Sequence, residues 1–464
     1  MSQKILLLVA DAARHTGTVR DHIGAFESAS RHDVLVLDSM AAALLDLELD
    51  SFDAVVFHYS IVISMTSYLP AGFFSRLADF AGIKILFIQD EFRWVDRTCS
   101  AAEALGVSVV FTVVNQDVIR KIYRTSYFDT VRFEQTLTGF VPEGLIGRAV
   151  PAYDQRTVDV SYRARKLPGW CGSFARQKWL IAERFATDCK RLGLKFDYDT
   201  TEAGRIYGEK WIEFVSNSKA TLGTESGAGF VDYTGEVYQA IDEFERANPT
   251  ATFEEINDRF LEGRDGQIVI HVISPRCFEA AALRTLMILY PGEYSGVLEP
   301  GRHYVELRHD HSNMDEVMAV VLDPDRAGKI IERAYTEVAV SGRWSFKTFI
   351  QDHFDRVIDE TVRPRVKTSR VTEHAEQIQR AEIIAKHEEA MVGQRRRMAL
   401  LLRLQSIRSN VGRVLRLNAA KYHIGRLVRV TLPPRHADGV MISLGRVRYA
   451  AKSAVKAVLL PNSK

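Results

Sequence analysis

Short, almost entirely apolar runs recur along the first third of the chain, at 4–10 (KILLLVA), 33–37, 54–58, 84–88 and 107–113. Segments with helical spacing of apolar positions, such as 19–29 and 71–80, lie between them. A run that is apolar at every position suits a strand buried on both faces, as in a parallel sheet. Its alternation with amphipathic helices predicts a doubly wound βαβ arrangement. The pattern pauses at 141–151, where Pro142, Gly144, Gly147 and Pro151 cluster as in an interdomain linker. A second series then begins, with strands predicted at 158–162, 220–224 and 286–290 and helices at 174–192, 208–216, 314–322 and 325–338. Residues 230–267 are more polar and read as a mostly helical insertion. The expected fold is α/β: two Rossmann-like, doubly wound parallel-sheet domains facing a cleft, at 1–148 and 149–344. A closing helix at 345–364 and a basic helical tail at 365–464 complete the expectation.

Charge sets the tail apart from the rest. The chain of 464 residues carries a formal net charge of only +2, yet residues 391–464 hold 16 Lys/Arg against the single acid Asp438, which leaves the body at −13. Within the tail, Leu400, Leu404, Ile407, Val411 and Val414 form an apolar stripe among arginines. That combination predicts an amphipathic helix for an anionic membrane surface, with oligomerisation through a coiled coil as an alternative. A nucleic-acid role is disfavoured because Tyr422 and Tyr449 are the tail's only aromatics, too few for a stacking platform. The four cysteines stand far apart with no CxxC pair, which fits a reducing cytosol. The opening apolar stretch, residues 5–10, is too short for a signal-peptide core, and no run approaches the ~20 apolar residues of a membrane span. The expected location is therefore cytoplasmic, peripheral at the inner face of the cytoplasmic membrane.

Candidate chemistry gathers at predicted strand ends and helix starts, where an open α/β sheet binds its ligands. The most concentrated stretch is 274–304, in which a helix opens at Pro275 with Arg276 and Glu279 in its first turns, and the loop PGEYSG with Tyr294 follows the next strand. A helix N-terminus attracts phosphate, and a carboxylate beside it accepts bonds from hydroxyls. Arg163 and Arg165 after one strand, and Arg176 and Lys178 at the start of the following helix, are poorly placed for the helix dipole unless an anion lies between them. Glu225, Ser226 and Gly227 end another strand in a glycine-rich turn that suggests close approach of backbone to ligand. In the first half, Gly17 precedes a helix. His58 ends one strand and Asp90 and Glu91 end another, with one of the two adjacent acids expected to face the cleft as an acid or base. A metal site is not expected: the His309-Asp310-His311 loop has the residue types but no further ligands nearby in sequence.

Taken together, SPRCFEAAALRTLMIL, GVLEPGRHYVEL and GTESGAG resemble the group 1 glycosyltransferases of the two-Rossmann, or GT-B, kind, in the variety similar to spore-maturation CgeB-type proteins. The resemblance covers about residues 1–362. It implies a metal-independent transfer of sugar from a nucleotide-diphosphate sugar, with no other cofactor, to a cell-surface glycan or lipid-linked acceptor. It also implies that Glu279 holds the nucleotide ribose and that Arg165 and Lys178, or Arg163 and Arg176, hold the phosphates. Eight residues before Glu279, where the family carries a second glutamate, this chain has His271. A sugar-nucleotide epimerase of the same fold and a non-catalytic sugar-nucleotide-binding or scaffold protein are the alternative readings.

Overall fold

The computed structural model describes residues 2–362 and 380–394. Two compact units are delimited, Met1–His387 and Glu388–Lys464. Of the second unit only 388–394 is described, and it is helical; the expectations for the stripe and arginines beyond it lie outside the described residues.

The first half is a six-stranded parallel sheet of β1 (Lys4–Val9), β2 (Asp33–Asp38), β3 (Ala54–Phe57), β4 (Ile83–Ile88), β5 (Val109–Thr112) and β6 (Arg132–Gln135), in the order β2-β1-β3-β4-β5-β6. The apolar runs predicted β1 to β5 because their residues are buried on both faces. β6 (RFEQ) is an edge strand with only partial burial, so it carries no such run. The second half contains a five-stranded parallel sheet of β7 (Val158–Arg163), β8 (Phe196–Asp199), β9 (Ser218–Gly223), β12 (Leu286–Leu289) and β13 (Val305–Glu306), in the order β13-β12-β9-β7-β8. Between β9 and β12, the short strands β10 (Ser226–Ala228) and β11 (Ile270–Val272) pair antiparallel. The α/β class with two doubly wound parallel sheets is what the apolar pattern predicts.

Two connections bind the halves into one body. The segment expected as a closing helix returns to the first half, where Phe346, Phe349, Phe354 and Val357 pack with Ile5, Leu7, Phe26, Phe87 and Phe111. It is helical over 346–361, with a π-helical stretch at Phe349–Phe354. Its fully buried Asp355 accepts from Ser30 Oγ at 2.6 Å and from the Arg31 N–H at 2.9 Å, so the buried carboxylate is matched by donors. The second connection lies in the 230–267 insertion, which is helical at Glu236–Ala247 and Phe253–Ile256 as expected but is also a strap. Val231, Ile270 and Val272 belong to the first half's core. Asp232 N–H donates to Phe92 O at 2.8 Å, Asp96 N–H to Tyr233 O at 3.0 Å, and the Tyr233 hydroxyl to Lys121 O at 2.6 Å. Within the same unit, the helical residues described from 380 onward lie along edge strand β2: Arg380 pairs with Asp33 and donates to Val34 O at 2.9 Å. Covering an edge with charge and helix removes a surface for unwanted strand pairing.

Candidate active site

The carboxyl ends of β7 and β9 define a topological switch point. β7 is the first strand of its sheet, and the chain leaves it towards β8 on one side and reaches β9 on the other. Ligands bind in the crevice that such a reversal opens. A cavity of about 330 Å³ lies there, lined by Tyr162, Arg163, Arg165, Lys178, Thr224, Ser226 and the helix start Ser274–Cys277 among others. Arg163, Arg165, Lys178, Arg205 and Arg276 all line it, and no aspartate or glutamate does.

These cations are held differently. Arg163 is anchored, donating to Asp197 Oδ1 at 2.8 Å with its guanidinium 4.1 Å from the centre of the Phe214 ring. Arg165 has a loose partner, Glu202 at 3.7 Å. Arg276 lies over the Trp211 ring at 5.0 Å and donates to Arg163 O. Lys178 is half-buried and makes no hydrogen bond or ion pair among the described residues. Burial pushes its ammonium down to about 8, and the positive charges of Arg276 and Arg165 act in the same direction. A second wall is aromatic and basic: Arg205 and Tyr207 sit on the loop before the helix Glu209–Ser216, with the guanidinium 5.1 Å from the tyrosine ring. Sequence reasoning missed these two. The only signal was a basic and an aromatic residue close together in a loop before Gly208.

The other candidates divide between cleft and core. Arg176 serves the insertion, lying over Phe253 at 4.2 Å and pairing with Glu254 at 3.1 Å. Glu279 sits on the side of its helix turned to Trp211, whose Nε1–H donates to it at 2.8 Å. Burial raises its carboxyl, Trp211 and Arg276 oppose that shift, and Asp21 of the first half adds to it. Glu279 does not line the cavity. Ser226 does, but the glycine-rich turn serves packing rather than ligand approach. A Cβ on Gly227 (φ 136°) would fall 1.8 Å from Ile270 O, across the β10–β11 pair. Gly17 starts the helix Gly17–Ala29, and a Cβ there would meet only the Arg20 guanidinium, at an ordinary 3.7 Å, so nothing there demands a glycine.

Four expectations are corrected. Glu225 is buried, and its carboxylate accepts from the Tyr294 N–H at 2.7 Å and meets His271 Nδ1 at 3.4 Å. That contact raises the His271 pKa, and the carboxylate beside His271 comes from the turn just before β10. Tyr294 is fully buried with its hydroxyl donating to Tyr290 O at 2.6 Å, so its side chain is a core group. His58 is fully buried against His22, Nε2 to Nδ1 at 2.9 Å. Glu91 is buried under Thr112 and Tyr123, whose hydroxyls donate to it at 2.6 Å. Of the two adjacent acids, Asp90 is the exposed one; it pairs with Arg93 at 3.2 Å, and its charge acts on Lys178 across the cleft.

Among the described residues, no three His, Cys, Asp or Glu side chains cluster as metal ligands. His311 of the His309-Asp310-His311 loop is held by Asp188 at 2.8 Å and Tyr290 at 3.0 Å. No described helix is long and apolar enough to cross a membrane.

No family model matches the chain, and no curated protein matches it. Among solved structures it is similar to an alpha-glucosyltransferase in complex with UDP-glucose and DNA containing an abasic site, at 10% identity and TM-score 0.45, covering 78% of this chain and 100% of that one. It is also similar to HepE from Anabaena in complex with UDP-glucose, at 10% identity and TM-score 0.43, covering 77% and 100%. A third is AviGT4, a glycosyltransferase involved in avilamycin A biosynthesis, at 12% identity and TM-score 0.36, covering 78% and 98%.

Two predictions follow from the titrating groups. A diphosphate placed beside Lys178 is held more tightly by the charged ammonium, so its affinity is expected to weaken as pH rises through about 8. Lys178→Met is expected to weaken binding by about 1.5–3 kcal/mol, the worth of a charge-assisted bond, and to flatten that pH dependence. Calorimetry on both proteins at neutral and alkaline pH checks this, and an unchanged pH profile in the variant would contradict it. For Glu91, burial raises the carboxyl from 4.5 to about 7 in the fold, so the folded state favours the protonated form. Relative to Glu91→Gln, the wild type is expected to lose stability as pH rises across that window, with no relative change below it. Thermal unfolding across the range reads the difference directly.

Proposed function

We propose that the chain binds a nucleoside diphosphate-sugar in the β7–β9 cavity and transfers the sugar to a hydroxyl acceptor. The observation that carries this is the set of five cations around one cavity with no lining carboxylate, one of them a half-buried ammonium with no hydrogen bond or ion pair among the described residues. A diphosphate is the ligand that relieves this arrangement. It also gains charge as a leaving group: when the acceptor oxygen attacks the anomeric carbon, the carbon–oxygen bond to phosphate breaks and its electron pair stays on the diphosphate. Cations already in place stabilise that developing charge in the transition state. The acceptor's proton goes to Asp90, the exposed carboxylate of the first half within electrostatic reach of Lys178.

A panel of nucleotide sugars, followed by chromatography of the nucleotide products, tests the reading. Release of free nucleoside diphosphate is expected; conversion to an epimeric nucleotide sugar would favour an epimerase, and binding without turnover a scaffold. Asp90→Asn is expected to lower kcat by about 10²–10⁴-fold, the usual worth of a general base, while nucleotide affinity is retained. Unchanged turnover would remove Asp90 from that role.

The basic residues of 391–464 supply a second component of the proposal, attachment to anionic lipid at the cytoplasmic face of a membrane. Each Lys or Arg near such a surface contributes about 1 kcal/mol, so the seven arginines from Arg395 to Arg416 suffice for salt-sensitive binding. Cosedimentation with anionic and neutral vesicles is expected to recover the full chain only with the former, whereas a chain ending near residue 390 stays in the supernatant. Equal partitioning of the two would contradict the attachment.

A further inference from the structure

The loop between β4 and the helix Val95–Leu105 carries Asp90 near its start, and the 230–267 insertion grips it from the other half. Asp232 N–H donates to Phe92 O at 2.8 Å and Val95 N–H to Asp232 O at 3.3 Å, so Arg93 and Asp232 pair as a parallel bridge. Asp232 is itself buried and fixed, its carboxylate accepting from the N–H groups of Gly235 at 2.9 Å and Tyr238 at 2.7 Å. The next residue in the loop, Trp94, has a left-handed backbone (φ 50°, ψ 38°), which a bulky residue keeps only where its surroundings impose it. The insertion imposes it: the indole lies on Gly235, where a Cβ would fall 1.9 Å from Trp94 Cδ1, and meets the Tyr238 ring at 4.9 Å.

Arg93 carries this grip to Asp90. Its guanidinium lies 5.4 Å from the Trp94 ring and 5.9 Å from that of Trp170, and it donates to Asp90 Oδ2 at 3.2 Å. Trp170 belongs to the second half, where it meets Tyr238 at 4.9 Å and immediately precedes Cys171 and the helix Gly172–Leu192 that bears Lys178. The charges of Lys178, Arg165, Asp90 and Arg93 all act on the Cys171 thiol, so the arginine–carboxylate pair stands beside the cationic cavity. An exposed ion pair fixes little by itself. Here one member rests on two rings and has its main chain bridged to Asp232, so the pair tethers an otherwise exposed carboxylate.

We propose that Arg93 is a positioning residue for Asp90, and that the joint of Trp94, Trp170, Gly235 and Tyr238 sets Arg93, so that the insertion governs where the base stands relative to the cavity. The proposal rests on the transferase reading above, in which Asp90 takes the acceptor's proton. It gives the 230–267 segment a task in the reaction although no residue of that segment lines the cavity. Arg93 acts through Asp90 and takes no proton itself.

Arg93→Met and Gly235→Ala attack the tether from its two ends. With the active donor of the nucleotide-sugar panel, each is expected to lower kcat about 10- to 10²-fold, the scale set by misplacing a reacting group by about 1 Å. Calorimetry with that donor's nucleoside diphosphate product is expected to give an affinity within about twofold of wild type for both, since neither residue lines the cavity. Each substitution is then placed in an Asp90→Asn background, where the further loss of kcat is expected to stay under about twofold, because nothing is left to position. Arg93→Met leaves the aromatic packing of the joint intact, so the comparison does not depend on Gly235→Ala folding. A loss of equal size in both backgrounds, a fall in nucleotide affinity matching the fall in kcat, or an unchanged kcat in Arg93→Met overturns the proposal. A wild type that releases no nucleoside diphosphate from any donor instead removes the transferase reading, and this proposal falls with it.

Discussion

Unbalanced positive charge at the end of β7 is the constraint from which the rest of the site follows. Two unit charges about 5 Å apart repel by about 3 kcal/mol at an effective dielectric of about 20, and burial adds to the cost of keeping an ammonium charged. Elsewhere in the body the arginines are answered by acids, as with Arg132 and Glu134 or Arg302 and Glu337. Around the cavity, Arg163 and Arg205 pair with acids outside its lining, Asp197 and Glu202, Arg165 is more loosely placed near Glu202, Arg276 is steadied by a main-chain carbonyl and an aromatic face, and Lys178 by nothing that is described. Such a cluster leaves positive charge that a bound anion would offset.

The fold keeps that cluster facing a second set of polar groups. The returning segment buries its aromatics and Asp355 in the first half, and the strap from the insertion adds main-chain bonds between Asp232 and Phe92 and between Tyr233 and Asp96. At the same joint, Phe92, Trp94, Trp170 and Tyr238 meet, with Trp94 and Trp170 each 4.9 Å from Tyr238. Gly139, between Thr18 and Pro275, lets the two candidate helix starts approach; a Cβ there would lie 3.0 Å from Thr18 and 3.1 Å from Pro275. The cationic cavity of the second half and the exposed Asp90 of the first are thereby held within one body.

Much of this architecture was legible because parallel strands announce themselves. Strands buried on both faces cannot be polar, so β1, β3 and β12 read as unbroken apolar runs. The edge strands β6 and β8 escaped notice because half-exposed backbone tolerates RFEQ and FDYD. At the site, the sequence located the cations well, since Arg163, Arg165, Lys178 and Arg276 all lie at strand ends or helix starts. It could not tell which way an acid or a histidine turns. Glu91 and Asp90 are neighbours with opposite fates, one under Tyr123 and the other exposed beside Arg93. Glu225 and His271 lie 46 residues apart, and only the β10–β11 pairing brings them together. The insertion read only as polar and helical because its strap to the first half mixes main-chain bonds with a few side chains, Val231 and Tyr233, too few to show as a pattern.

The most direct measurement of the central claim is a crystal structure of the chain with a bound nucleoside diphosphate. The account places a phosphate oxygen within hydrogen-bonding distance of Lys178 Nζ, with Arg165 and Arg276 contributing further contacts and the start of the 275–282 helix beside the diphosphate. A nucleotide seated elsewhere, or one whose phosphates point to solvent while Lys178 stays unpaired, would contradict it.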